Sequence, residues 1–216
     1  MTREAQADRE ALAAKWYDAV VGDFVIADDV RGLIFDCDGT LVDTMPVHYA
    51  IWREVLAERG VVFTEQRFYE LAGVPSVGVA ETVAREQNVA VDARAIAADK
   101  DRRYLACEDH GAPIERVVRV ARAERGRRKL AVASGNVTEI VIRTLRGAHI
   151  DDLFEVVVGA DQVARGKPAP DVFLYAAERI GVPPSACLVY EDGDLGIEAA
   201  HAAGMRVVDI RSMRLV

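Results

Sequence analysis

Residues 33–44 read LIFDCDGTLVDT and contain the clearest indication of the fold. Its first three residues are a continuous apolar run, and Asp36 and Asp38 follow directly, before a Gly-Thr turn. A strand that is apolar on both faces belongs in the middle of a parallel sheet. The sequence therefore predicts a central strand over residues 30–36, with two carboxylates at its carboxyl end.

Four further short apolar runs predict the other strands of this sheet. They cover residues 129–133, 154–158, 186–190 and 206–210, and helical patterns over 137–146, 171–180 and 195–203 separate them. Alternation of strands and helices is typical of βαβ units, so the expected fold class is α/β, with a doubly wound parallel sheet. Such folds bind ligands at the carboxyl ends of their strands.

Residues 45–111 interrupt this alternation. Helical patterns at 48–59, 66–72, 77–87 and 93–109 follow one another with no strand between them, which predicts an all-helical insertion after the first strand. The expected division is a core of residues 30–44 and 112–216, an inserted domain of residues 45–111, and an N-terminal extension of residues 1–29. Within the extension, residues 4–20 carry an apolar stripe and predict a helix.

Composition and charge narrow the class of protein. Thirty-five acidic and 27 basic side chains give a net charge of -8, which disfavours a nucleic-acid partner. The three cysteines form no CxxC pair, so neither a disulfide framework nor a zinc site is expected. No apolar run approaches the roughly 18 residues that a membrane span needs. We expect a soluble cytoplasmic protein, a monomer or homodimer, without a membrane partner.

The pair Asp36 and Asp38 suits a division of chemical roles. One carboxylate can act as an ionised nucleophile, while the other serves as an acid and base. A bare pair of this kind is also typical of a polar turn, where Asp and Gly cluster for conformational reasons. The pair therefore needs support from elsewhere in the chain.

Two further strand ends carry groups suited to phosphate. After the strand at 129–133 come Ser134, Gly135 and Asn136, whose hydroxyl and backbone N–H groups at a helix start can bind a phosphoryl oxygen. Lys167 lies between Gly166 and Pro168 and can neutralise phosphate charge. Each feature alone is also consistent with an ordinary turn or a solvated loop lysine.

A fourth strand end, after residues 186–190, is acidic. Glu191 and Asp192 follow the strand, and together with Asp36 they offer the carboxylate oxygens that Mg²⁺ prefers.

The order of these four elements, led by residues 35–44, resembles the haloacid dehalogenase superfamily, in the branch of beta-phosphoglucomutase and small sugar-phosphate phosphatases. The resemblance covers residues 31–216. It implies that Asp36 attacks phosphorus and forms an aspartyl-phosphate, while Asp38 protonates the leaving oxygen and later activates water. It also implies that Ser134 and Lys167 bind phosphoryl oxygens. Mg²⁺ would then be held by Asp36, the backbone carbonyl of Asp38, Asp192 and Glu191, with Asp194 as an outer member of the site.

The resemblance further implies that the helical insertion is a cap, which closes over the site and selects the substrate. Candidate substrate contacts in it are His48, Trp52, Lys100 and Tyr104. Trp52 is equally consistent with the core of the insertion, and Lys100 with a solvated surface position.

Two sequence features bear on the reaction. Asp38 favours phosphoryl transfer, because the family's dehalogenases and phosphonatases lack an acidic residue at this point. The mutase of the family has an arginine shortly after a Gly-Val, where this chain has Pro75-Ser76-Val77 after Val74. We therefore expect a phosphatase acting on a small phosphorylated metabolite, and the leading expectation is a sugar phosphate of the fructose 1-phosphate or phosphogluconate type. A sugar-phosphate mutase is the alternative, and a non-catalytic binding protein on the same fold is a remote one.

Overall fold

The computed structural model describes residues 26–71 and 74–213, so the helix predicted over residues 4–20 lies outside the described residues. The strands are β1 (Gly32–Phe35), β2 (Val42–Asp43), β3 (Ala112–Pro113), β4 (Lys129–Ala133), β5 (Val156–Val158), β6 (Cys187–Glu191) and β7 (Arg206–Asp209). The helices are α1 (Met45–Ala57), α2 (Glu65–Glu70), α3 (Ser76–Glu86), α4 (Ala93–Ala106), α5 (Glu115–Glu124), α6 (Thr138–Gly147), α7 (Asp171–Arg179) and α8 (Asp194–Ala202). Short 3-10 turns at Asp151–Leu153, Ala160–Gln162, Pro184–Ala186 and Ile210–Ser212 complete the described elements.

Five strands form one parallel sheet in the order β5-β4-β1-β6-β7. Strand β1 is central: Phe35 pairs with Val132 of β4 on one side and with Tyr190 of β6 on the other. All four residues of β1 are buried, as its apolar run predicts. The expected α/β fold is confirmed, and the five predicted strands all belong to this sheet.

Two apolar layers cover the faces of the sheet because alternate residues of each strand point to opposite sides. Leu33 and Phe35 pack in one layer with α5 and α6. Ile34 packs in the other with α7 and α8. Helix α5 was not among the predicted elements, although Val117, Val118 and Ala121 form its buried face.

Helices α1 to α4 form a separate apolar cluster around Trp52, Phe63 and Phe68. The short antiparallel pair of β2 and β3 brings the two ends of this insertion together, with Asp43 opposite Ala112. Next to this pair, Gly111 has a φ of 104°, and a Cβ there would overlap the carbonyl oxygen of Asp43. The exact domain bounds of 30–44, 45–111 and 112–216 stay a prediction.

No helix among the described residues combines the length and the apolar character that crossing a membrane requires. Cys37, Cys107 and Cys187 are all free.

Candidate active site

Three strand ends meet at one edge of the sheet. Asp36 follows β1, Ser134 follows β4, and Glu191 ends β6; they are 5%, 1% and 3% exposed. Neighbouring parallel strands place their carboxyl ends at the same edge, so groups distant in sequence become neighbours. The structure thus brings the predicted motifs together in one cavity.

Lys167 joins two of these groups. Its Nζ donates to Oδ1 of Asp36 and to Oε2 of Glu191, each over 2.7 Å, and its side chain is only 7% exposed. Burial lowers the pKa of Lys167, but attraction to the two carboxylates outweighs burial and raises this pKa above its usual value. The lysine is therefore a fixed buried cation beside Asp36.

Asp36 itself lies among like charges. Burial and repulsion by Glu191 raise the pKa of Asp36 well above its usual value, and Lys167 opposes this only in part. Any further positive charge in the cavity would therefore stabilise the ionised form of Asp36.

A metal ion could supply this positive charge if it were shared by the carboxylates of Asp36, Glu191 and Asp192. One oxygen from each lies within 4.8 Å of the others. The Thr40 hydroxyl donates to Oδ1 of Asp192 over 2.7 Å, and the Gly193 amide donates to Oε1 of Glu191 over 2.9 Å. Clustered carboxylates fixed by their own hydrogen bonds fit Mg²⁺, which takes oxygen ligands.

Repulsion within this carboxylate cluster also changes the pKa of Asp192. Burial, followed by repulsion from Glu191, raises the pKa of Asp192 to about 6. Gly39, with a φ of 81°, lets the turn after Asp38 approach this carboxylate closely, because a Cβ at Gly39 would overlap Asp192.

Asp38 is held by a different set of groups. The Thr44 hydroxyl and the Asn136 amide each donate to it over 2.8 Å, and the Ser134 hydroxyl does so over 3.4 Å. His48 Nε2 lies 3.2 Å from the same carboxylate. Burial raises the pKa of Asp38, but the hydrogen bonds, led by that of His48, outweigh it and lower this pKa below its usual range.

His48 and Lys100 are the predicted insertion residues that reach the cavity as polar groups. The His48 ring stacks on Tyr104, with centroids 4.2 Å apart. Lys100 is 2% exposed, lines the cavity, and has Asp101 3.2 Å from its Nζ. Trp52 also lines the cavity, although it belongs to the apolar cluster of the insertion.

Two candidate roles need correction. Tyr104 is fully buried behind His48, where its hydroxyl pairs with the Thr144 hydroxyl at 2.8 Å, and it does not line the cavity. Asp194 is also misplaced as an outer metal-site residue: its side chain is 86% exposed and pairs with Arg211.

The cavity has two walls of different character. The sheet side contributes the polar groups, including Gly135, which the sequence placed among the phosphate contacts. The side formed by the insertion is mainly apolar and comprises Met45, His48, Trp52, Phe68, Leu71, Val74, Pro75, Ser76, Val79 and Lys100. Thr40 and Thr44 were not predicted, although both lie inside the first motif beside the carboxylates that they bind.

Comparisons with known proteins agree with this arrangement. A family model described as haloacid dehalogenase-like hydrolase matches residues 30–204. The fructose-1-phosphate phosphatase YqaB of Escherichia coli (strain K12) is 40% identical over 181 residues, covering 83% of this chain and 96% of that relative. The beta-phosphoglucomutase of Bacillus subtilis (strain 168) is 30% identical over 192 residues, covering 84% and 83%.

A solved structure is also similar. The crystal structure of CbbY from Rhodobacter sphaeroides in complex with phosphate has a TM-score of 0.74 and 27% sequence identity, and the match covers 82% of this chain and 84% of that chain. The similarity therefore extends over both the sheet and the helical insertion.

Proposed function

This chain belongs to the family of haloacid dehalogenase-like hydrolases, and on that premise we propose that it is a Mg²⁺-dependent phosphatase of a small sugar phosphate. The observation that carries the proposal is the contact between Lys167 and Asp36, 2.7 Å apart beside Glu191 and Asp192. It supports the proposal because the proposed nucleophile, a buried cation and carboxylates suited to a metal ion lie close together.

Asp36 acts as the nucleophile. One of its oxygens attacks phosphorus, the bond from phosphorus to the sugar oxygen breaks, and an aspartyl-phosphate forms on Asp36. Lys167 favours the ionised form of this carboxylate and lies where it can bind a phosphoryl oxygen. The Ser134 hydroxyl and the N–H groups of Gly135 and Asn136 are the other candidate donors to phosphate.

Mg²⁺, held by Asp36, Glu191, Asp192 and the carbonyl of Asp38, would stabilise the negative charge of the transferring phosphoryl group. The carboxylates that would hold it are already fixed by Thr40 and by backbone amides of Asp192 and Gly193.

Asp38 is the acid and base. It donates a proton to the leaving sugar oxygen, then accepts a proton from the water that attacks phosphorus and releases Asp36. The donors now around Asp38 favour its ionised form, which is the form required for activating water. The acid form requires that the leaving oxygen replaces some of these donors.

The walls of the cavity favour a substrate with one phosphate. Lys167 and Lys100 are the only cationic side chains among the described residues that line it, and Lys167 is already engaged by two carboxylates. A bisphosphate intermediate needs a second cationic site. Lys100 is the one candidate among the lining residues that the structure describes, and Asp101, 3.2 Å from its Nζ, already offsets its charge, so the cavity favours hydrolysis over the mutase alternative. The relative with 40% identity is itself named a fructose-1-phosphate phosphatase.

The test measures phosphate release from a panel of sugar monophosphates in the presence of Mg²⁺. We expect turnover of at least one substrate by the parent, and its loss in Asp36→Asn. Asp194→Asn is the matched control, because that aspartate is exposed and paired with Arg211. Absence of turnover over the whole panel, or an active Asp36→Asn, would refute the proposal.

A further inference from the structure

Asp161 lies outside the cavity, in the exposed 3-10 turn that follows β5. Its Oδ1 accepts hydrogen bonds from the backbone N–H and from the hydroxyl of Thr138, over 2.7 and 2.8 Å. Thr138 is the first residue of helix α6. One surface carboxylate thus binds the start of the helix that follows the Ser134 loop.

Two further contacts join the same pair of segments. The Ala160 amide donates to the carbonyl of Asn136 over 2.8 Å. The side-chain amide of Gln162 donates to the Thr138 hydroxyl over 2.7 Å. Gly159 permits this approach, because a Cβ there would overlap the backbone nitrogen of Thr138. Residues 136–138 and 159–162 are therefore packed with backbone against backbone.

Asn136 connects these contacts to the residues of the cavity. Its side-chain amide donates to Oδ2 of Asp38 over 2.8 Å, and its backbone N–H donates to the Ser134 hydroxyl over 3.1 Å. The contacts of Asp161 and Ala160 thus fix the loop that presents Asn136 to the acid and base.

We propose that Asp161 is a positioning residue of the reaction, which acts through Thr138 and Asn136 on the placement of Asp38. This inference rests on the phosphatase function proposed above, in which Asp38 protonates the leaving oxygen. A misplaced general acid loses much of its effect, since displacements of about 1 Å can cost about a hundredfold in rate.

The competing explanation is that Asp161 only caps helix α6 and so contributes to stability alone. Asp92 provides a matched control for it. Oδ1 of Asp92 accepts from the amides of Arg94 and Ala95 at the start of α4, over 3.1 and 3.0 Å, and Asp92 does not line the cavity. Asp92→Ala removes a comparable cap without touching the Asn136 loop.

The kinetic test compares Asp161→Ala, Asp161→Asn and Asp92→Ala on fructose 1-phosphate and on p-nitrophenyl phosphate. The nitrophenolate leaves readily without a proton, whereas a sugar oxygen needs the acid. For Asp161→Ala we expect kcat/KM to fall about tenfold on the sugar phosphate and about twofold on the nitrophenyl ester. Asp161→Asn keeps an accepting oxygen and restores the parent values, and Asp92→Ala leaves both unchanged.

Crystal structures of the same variants supply a readout that does not depend on activity. The contact from Asn136 to Asp38 should be lost or lengthened in Asp161→Ala and kept in Asp161→Asn. An unchanged contact in Asp161→Ala, or an equal loss of kcat/KM on both esters, overturns the inference. An inactive parent overturns the phosphatase function instead, and the crystallographic comparison still decides whether Asp161 positions Asp38.

Discussion

His48 Nε2, on the first inserted helix, lies 3.2 Å from Oδ1 of Asp38, on the loop that follows the central strand. The helical insertion and the sheet are thus connected through the residue proposed to transfer protons. A change in the position of α1 would alter the donors around Asp38.

Removing this contact should slow the reaction. We expect His48→Ala to lower kcat about tenfold, because a hydrogen bond to a charged group contributes about 1.5 kcal/mol. Steady-state phosphate release measures the effect. His201→Ala is the control, since His201 is exposed on α8. Equal kcat values for His48→Ala and the parent would show that His48 does not serve Asp38.

Magnesium should stabilise the parent against heat. At about a hundred times its dissociation constant, a ligand adds about 2.7 kcal/mol to the free energy of unfolding. Asp192→Asn should lose most of this gain, while Asp194→Asn should keep it, because only Asp192 lies with Asp36 and Glu191. Thermal unfolding with and without Mg²⁺ measures both. Equal gains in the two variants would exclude Asp192 as a ligand.

The raised pKa of Asp192 predicts a pH dependence in metal-free protein. Because the pKa is about 6 in the folded protein against 3.8 in its ordinary state, the folded state binds more protons between these values. This carboxyl group therefore makes the protein more stable as the pH falls through that window. Asp192→Asn should remove this contribution, as denaturant unfolding at several pH values would show. Parallel profiles for parent and variant would contradict it.

Gly111 should be intolerant of a side chain. Its φ of 104° is unfavourable for other residues, and a Cβ would overlap the Asp43 carbonyl oxygen, so we expect Gly111→Ala to lower the free energy of unfolding by about 3 kcal/mol. Gly60→Ala is the control, with a φ of 72° and no atom within 4 Å of the Cβ, and should cost about 1 kcal/mol. Similar losses in the two variants would show that the Asp43 contact has no effect.

Much of the fold was predictable from the sequence LIFDCDGT, which forms most of β1 and the turn after it. Its apolar residues face both sides of the sheet, and the run ends abruptly in polar residues. Helix α5 was not predicted, although Val117, Val118 and Ala121 have helical spacing and arginines at 116, 119 and 122 recur on the other side of the helix. This amphipathic pattern is itself sufficient to predict the helix.

The site was predictable as a set of residues, but not in its contacts. The backbone N–H of Asn136 stays a predicted phosphate donor, but its side-chain amide donates to Asp38, 98 residues earlier in the chain, and no local pattern reveals such a pair. Asp192 and Asp194 are two residues apart, yet α8 begins at Asp194 and the second carboxylate lies outside the site. The direction of a side chain at a helix start depends on backbone geometry that spacing does not give.

The most direct test of the proposed reaction is to trap the phosphorylated protein. The parent is mixed with Mg²⁺ and with fructose 1-phosphate that carries the radioactive label in its phosphate group. The reaction is quenched in acid within one turnover, and the protein is digested for peptide mapping. We predict label on the peptide that contains Asp36, and none in Asp36→Asn. Phosphate release by the parent without label on Asp36, or with label on another residue, would contradict the assignment of Asp36 as the nucleophile.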